Sequence, residues 1–286
     1  IVKIGRTHLM DAMPIDFAQE LSGWKAQLES SKKTLIAATS RMNELPQGGT
    51  AIGTGINTHK DFSKNFCEEV NKIAKLKTKP AKNFFQGLSS VDNAAELSSA
   101  LKNLSTILMK ISNDLRWMNS GPLTGLGEIE LEALQPGSSI MPGKVNPVVP
   151  EAVAMACADV IGNDVSITVA SQSGNFQLNV MLPLVAYNLL KSINLLGNAM
   201  PLLSNKAIKT FKINAKNINE SLSKNPILVT ALNRKIGYGK AALIAKKAYK
   251  ENKAIIDVAS EETGISKTEL KKLLDPSKLT KGGLSG

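Results

Sequence analysis

Residues 94–118 read Ala-Ala-Glu-Leu-Ser-Ser-Ala-Leu-Lys-Asn-Leu-Ser-Thr-Ile-Leu-Met-Lys-Ile-Ser-Asn-Asp-Leu-Arg-Trp-Met. Ala94, Leu97, Leu101, Leu104, Leu108, Ile111, Leu115 and Met118 recur at alternating steps of three and four. On a helix that spacing puts them on one stripe, and so long a stripe is covered only by near-parallel partner helices. The stretch therefore predicts a bundle of long helices. It stops at Asn119-Ser120-Gly121-Pro122, where Gly and Pro cannot continue a helix.

Upstream, Phe17, Leu21, Trp24 and Leu28, then Leu35, Ala38, Met42 and Leu45, keep the same rhythm with Ser31 as the one break. They predict a second long helix that stops at Pro46 and Gly48-Gly49, with Trp24 in the core. Downstream, 148–170 and 178–202 are apolar on most sides, and Gly174-Asn175-Phe176 separates them. Such helices are buried in a large core or a membrane. Glu151, Asp159 and Asp164 interrupt the first, and Pro183 and Lys191 the second, so packing against other subunits is the expectation. Near Ser204 the chain becomes polar and rich in lysine, with shorter helices expected over 206–222, 226–235, 239–251, 254–261 and 266–274. The fold class expected is all-α: a long-helix bundle central domain over 1–205 plus a small helical C-terminal domain over 206–286. Leu274-Asp275-Pro276 and the terminal glycines read as a frayed tail.

A net charge of +11 over 286 residues raises the question of nucleic acid. The lysines, however, are spread over 60–82, 206–224 and 234–253 with acids interleaved, and aromatic residues make up only 4%. Stacking platforms are therefore scarce, and a solvated basic surface that favours anionic ligands is the better reading. Cys67 and Cys157 lie far apart in helical stretches, which suggests reduced thiols in a cytoplasmic setting rather than a disulfide framework. Two histidines, His8 and His59, are too few for a multi-histidine metal site, and no zinc spacing is present, so no metal or cofactor is expected. His59 and Cys67 are expected in a short helical segment after residues 48–57 and are read as structural. The chain begins Ile1-Val2-Lys3-Ile4, which reads like the middle of an element, and no leader-like segment is visible, so we expect a fragment or a processed product.

Two loops hold candidate chemistry. Residues 48–57, Gly-Gly-Thr-Ala-Ile-Gly-Thr-Gly-Ile-Asn, miss the spacing of a dinucleotide loop and have no βαβ surroundings, so they read as a close-packed turn. Residues 135–147, Gln-Pro-Gly-Ser-Ser-Ile-Met-Pro-Gly-Lys-Val-Asn-Pro, supply hydroxyls, a cation, an amide and many backbone N–H groups, a set suited to holding a carboxylate or oxyanion. They are not a P-loop: Gly137 and Gly143 enclose five residues instead of four, and Val145 stands where Ser or Thr belongs.

The run Gly-Ser-Ser-Ile-Met-Pro-Gly-Lys-Val-Asn-Pro at 137–147 closely resembles the signature of the fumarase/aspartase superfamily. Gly5-Arg6-Thr7-His8, followed by Leu-Met-Asp-Ala and Pro14, is similar to class II fumarases, whereas aspartases usually carry Gln at the position of His8. Leu228 to Asn233, Ile236-Gly237-Tyr238 and Lys240-Ala241-Ala242 resemble the small C-terminal domain of fumarases. The resemblance implies a homotetramer acting on fumarate and malate in the citric acid cycle, metal-free, with active sites built from three subunits.

It also implies residue roles. Ser138 would be the base and Ser139 would touch substrate. Lys144 and Asn146, with Val145 between them, would grip the carboxylates. Thr7 and His8 would come from the earlier segment, and Glu151 would pair with His8. The residues themselves leave acid and base open between Ser138 and His8. Fumarases also begin with an N-terminal domain carrying a Ser/Thr- and Asn-rich substrate loop and a His-Pro-Asn-Asp segment, neither of which occurs here. This polypeptide is accordingly expected to be the central and C-terminal portion and, if Ile1 is the true start, inactive alone. Gln177 departs from the Glu usual in the family. The rivals are an aspartase or other lyase of the superfamily, a helical scaffold without catalysis, and a basic nucleic-acid binder.

Overall fold

The computed structural model describes residues 1–283. Strands β1 (Val2–Thr7) and β2 (Met10–Asp16) precede the long helix α1 (Phe17–Arg41). Then β3 (Glu44–Leu45), α2 (Phe62–Ala74), β4 (Lys79–Pro80) and α3 (Phe84–Ser89) lead to α4 (Asp92–Met118). After β5 (Ile129–Glu130) come α5 (Val148–Ser171) and α6 (Leu182–Leu203). The chain closes with β6 (Lys212–Ile213), α7 (Ala215–Lys224), α8 (Asn233–Ile236), α9 (Tyr238–Glu251), α10 (Ile255–Thr263), α11 (Lys267–Leu273) and α12 (Pro276–Leu279). Helices dominate, as the periodicity implied. Among the described residues the sheets are two-stranded pairs, β1 with β2, β3 with β4 and β5 with β6.

Contacts divide the chain into two units, neither of them continuous in sequence. One comprises Ala26–Trp117 and Leu131–Phe211. Its helices follow the heptad reading closely. Along α4, Leu97, Leu101, Leu104, Leu108, Ile111 and Leu115 are buried; α1 is divided between the units at Lys25, and along it every seventh residue from Phe17 (Trp24, Ser31, Ala38) is buried. Helices α5 and α6 pack together, burying Val153, Cys157, Val160 and Ile167 with Val185, Leu189, Leu196 and Leu203. By length and composition α5 could cross a membrane, with mean hydropathy 1.4. Its buried polar groups nevertheless find protein partners. Asp164 accepts from Ser98 Oγ at 2.7 Å and from Lys102 Nζ at 2.6 Å, and Asn163 donates to Ser192 Oγ at 3.1 Å. The reverse faces remain exposed, with Met155 and Val165 on α5 and Leu182, Tyr187 and Leu190 on α6. Helix α1 ends at Arg41 rather than running to Leu45. The carbonyls of Asn43 and Leu45 instead accept from Lys79 N (2.9 Å) and Ala81 N (2.8 Å) across the β3–β4 pair.

The second unit joins Ile1–Lys25, Met118–Glu130 and the chain from Lys212 onward. Its core is Leu228, Val229, Leu232, Ile244, Ile255, Val258 and Leu270, with Ile4 of β1 packed into the same cluster. The hairpin is tied in by Asn225 Nδ2, which donates to Ala12 O at 3.2 Å, and by Gln19 Nε2, which donates to Thr280 O at 2.6 Å. Ile129 pairs with Ile213 and Glu130 with Lys212 in the β5–β6 ladder. These pairings between residues distant in sequence explain why the units differ from two consecutive segments, 1–205 and 206–286. Pro226–Leu232 is a 3₁₀ turn rather than part of one regular helix over 226–235. Leu274 is buried and Asp275 caps α12, accepting from Ser277 N at 3.0 Å, so the expected frayed tail is ordered at its start. The terminal Gly286 lies outside the described residues.

Candidate active site

The loop before α5 closes on itself through its backbone. Ser138 N donates to Lys144 O at 3.0 Å, and Lys144 N donates to Met141 O at 3.1 Å. Gly137 (φ 89°) and Gly143 (φ 82°) make the turns in left-handed backbone. A Cβ on Gly137 would stand 2.5 Å from Lys144 O, so only glycine permits this closure. Within the closed loop, Ser138 Oγ accepts from the backbone N–H of Met141 at 3.2 Å and of Ile140 at 3.4 Å. Hydrogen bonds donated to an oxygen favour its anionic form. Lys144 Nζ lies 2.6 Å from Asn146 Oδ1. The chain then enters α5, whose first turn carries Glu151, half-buried, where the helix N-terminus adds positive potential. Ser138, Ser139, Lys144, Val145, Asn146 and Glu151 thus belong to one loop and the helix turn that follows it.

Thr7 and His8 belong to the other unit. The register of β1 and β2 pairs Thr7 with Met10, so His8-Leu9 is a two-residue hairpin turn. Both turn residues have positive φ, 54° and 61°, as a type I′ turn requires, but neither is the glycine or asparagine that adopts this backbone cheaply. His8 and Thr7 are exposed at the tip. Below the tip sits a charge cluster that the sequence reading passed over. Lys3, 2% exposed, places Nζ 2.7 Å from Glu20 Oε2 and 2.6 Å from Glu128 Oε2. Arg6 Nη1 lies 2.7 Å from Glu128 Oε1. The available signal was a lysine inside the apolar run Val2-Lys3-Ile4, since a buried lysine needs a carboxylate partner.

His59 is exposed in the turn before α2 rather than within the helix, and its Nδ1 accepts from Asp61 N at 3.3 Å. Cys67 and Cys157 are buried free thiols. Within 48–57, a Cβ on Gly49 would meet Phe84 Cβ at 2.9 Å and one on Gly53 would meet Phe85 Cδ1 at 2.7 Å, which makes this a close-packed turn. Among the described residues no three His, Cys, Asp or Glu side chains gather as a metal site.

Residues 1–162 match the family model described as Lyase, and residues 228–281 match the one described as Fumarase C C-terminus. The chain is 59% identical over 283 residues to fumarate hydratase class II 2 of Pseudomonas aeruginosa, covering 99% of this chain and 62% of that protein. It is 56% identical over 284 residues to fumarate hydratase class II of Xylella fastidiosa, strain Temecula1, covering 99% of this chain and 60% of that protein. The crystal structure of a class II fumarase from Schistosoma mansoni superposes with a TM-score of 0.92 at 34% identity, over 98% of this chain and 61% of that one. The chain thus spans about three fifths of the length of the curated relatives it matches.

Proposed function

The chain belongs to the lyase family, and from that membership we propose that it is the central and C-terminal portion of a class II fumarate hydratase, which interconverts fumarate and L-malate. The observation that carries this reading is the loop in which two backbone amides converge on Ser138 Oγ while Lys144 and Asn146 stand on the same turn.

Starting from malate, the difficult species is the carbanion left when a proton leaves C3. Its charge spreads into the adjacent carboxylate, so the site must supply a base at C3 and donors around that carboxylate. Ser138 takes the proton, its alkoxide favoured by the amides of Ile140 and Met141 and by the positive potential of Lys144 and the α5 N-terminus. Lys144 and Asn146 turn from each other to the substrate carboxylates, helped by Ser139, Thr7 and the backbone at Val145. His8, paired with Glu151, supplies the proton for the departing hydroxyl through a water. The exposed apolar faces of α5 and α6 suit a homotetramer in which hairpin and loop come from different subunits, and the +11 charge suits a dianionic substrate. A cytoplasmic enzyme that needs no metal, cofactor, nucleic acid or membrane fits the same reading.

The test is malate turnover by the whole protein, followed by the ultraviolet absorbance of fumarate. Ser138→Ala is expected to lower kcat by about 10³-fold with KM little changed, within the range for loss of a general base. Wild-type turnover in that variant would remove Ser138 as the base. A wild-type protein that releases ammonia from aspartate, and does not dehydrate malate, would move the assignment to an ammonia-lyase.

A further inference from the structure

Glu128 is 4% exposed and stands between two cations of β1. Its Oε1 lies 2.7 Å from Arg6 Nη1 and its Oε2 lies 2.6 Å from Lys3 Nζ. Its backbone is fixed as well: Glu128 N donates to Met118 O, and Glu128 O accepts from Asn214 N, both at 2.8 Å. Lys3 is fully enclosed, with Glu20 Oε2 at 2.7 Å, Met118 Sδ at 3.6 Å and the Phe17 ring at 4.8 Å. The carboxylate is therefore rigid, and whatever it grips is placed by it.

What it grips is the strand leading to the hairpin tip. Lys3 and Arg6 are three residues apart, and in a regular strand that spacing sends side chains to opposite faces. Here the register shifts between Ile4 and Arg6, Ile4 pairing with Pro14 and Arg6 with Asp11. A bulge increases local twist and re-aims side chains. Gly5 sits at that point, where a Cβ would stand 2.7 Å from Met13 O, so the two strands approach as only glycine allows. With the ladder irregular there, both cations reach one carboxylate. Arg6 is the last anchored residue before Thr7 and His8, whose turn is in backbone that His and Leu do not adopt readily. A turn disfavoured by its own residues keeps its geometry only if the strands beneath it are fixed.

We propose that Glu128 is a positioning residue: through Arg6 and Lys3 it fixes β1 so that the strained tip presents Thr7 and His8 in one orientation. The catalytic half of this statement rests on the fumarate hydratase reading. The mechanical half does not.

The experiment uses the whole protein with Glu128→Gln, Glu128→Asp and Arg6→Met, the last serving if Glu128→Gln does not fold, since Arg6 is partly exposed and its loss leaves Lys3 paired. Two quantities are read: kcat and KM for malate, and amide hydrogen exchange of Thr7 to Met10. Expected are a fall in kcat of about 30-fold or more with KM changed less than about threefold, at least tenfold faster exchange at the tip, and partial recovery of kcat in Glu128→Asp. A Glu128→Gln or Arg6→Met protein that keeps kcat within twofold and leaves tip exchange unchanged overturns the proposal. If the wild type neither hydrates fumarate nor dehydrates malate, the functional reading fails by itself. Exchange at the tip then decides the anchoring: faster exchange supports it, and unchanged exchange refutes it.

Discussion

Leu9 carries a φ of 61° with its side chain 64% exposed, a combination in which backbone strain is not offset by burial within the chain. A β-hairpin of two residues demands that backbone, and glycine supplies it without the Cβ clash that costs other residues about 1–2 kcal/mol. Leu9→Gly is therefore expected to raise stability by about 1 kcal/mol, read as a higher thermal midpoint. An unchanged or lower midpoint would mean that the exposed leucine is covered by a contact in the assembled protein. At this scale the loop itself was legible: glycines and prolines at 135–147 excluded helix, and the structure has none there. The convergence of two amides on Ser138 Oγ was not legible, because it depends on φ at Gly137 and Gly143 and on ring closure by Lys144 O. Of the Glu128 cluster only the lysine within Val2-Lys3-Ile4 gave a signal, because the partners of Glu128 lie more than a hundred positions away.

Helix α5 shows what an element adds. Its sequence is apolar on most sides, and only the packing reveals which face is inside. Cys157 falls on that face, and burial pushes its thiol up to about 11 from an ordinary value of 9.0, against the opposing hydrogen bond with Ser105. The folded protein then holds the neutral thiol where the unfolded chain would already ionise. Stability is unaffected below pH 9, and this residue draws it down as pH rises from there toward 11. Iodoacetamide at pH 8.5 should label Cys157 in urea and leave it unlabelled in the native protein. Rapid labelling of the native protein would show that the helix does not stay packed there. The three-and-four rhythm located α4 and most of α1 because heptads report which residues are inside a bundle. It overran the end of α1, because the β3–β4 pair that claims residues 43–45 draws on a strand more than thirty residues later.

For the whole molecule, the packing leaves one apolar face of α5 and one of α6 exposed within the chain. Tyr187 and Leu190 are about two-thirds exposed, on a helix whose opposite face is closely packed. In the proposed homotetramer these side chains lie between subunits. Leu190→Asp should then convert the assembly to smaller species in sedimentation while leaving helix content unchanged. A tetramer that survives the substitution would place the interface elsewhere. If hairpin and loop do come from different subunits, activity should fall together with assembly.

The amino-acid sequence by itself determined the helical class and the long stripes of α1 and α4, because these depend on spacing along one chain, and it carried the family through the resemblance of the motifs at 5–14, 137–147 and 228–242. Tertiary structure alone decided that β1 and β2 join the C-terminal helices, that Lys3, Arg6 and Glu128 share charge, and that two amides meet at Ser138 Oγ. Those features depend on distances of a few ångströms between groups that the sequence orders but does not locate, and such distances are set only when the core is packed.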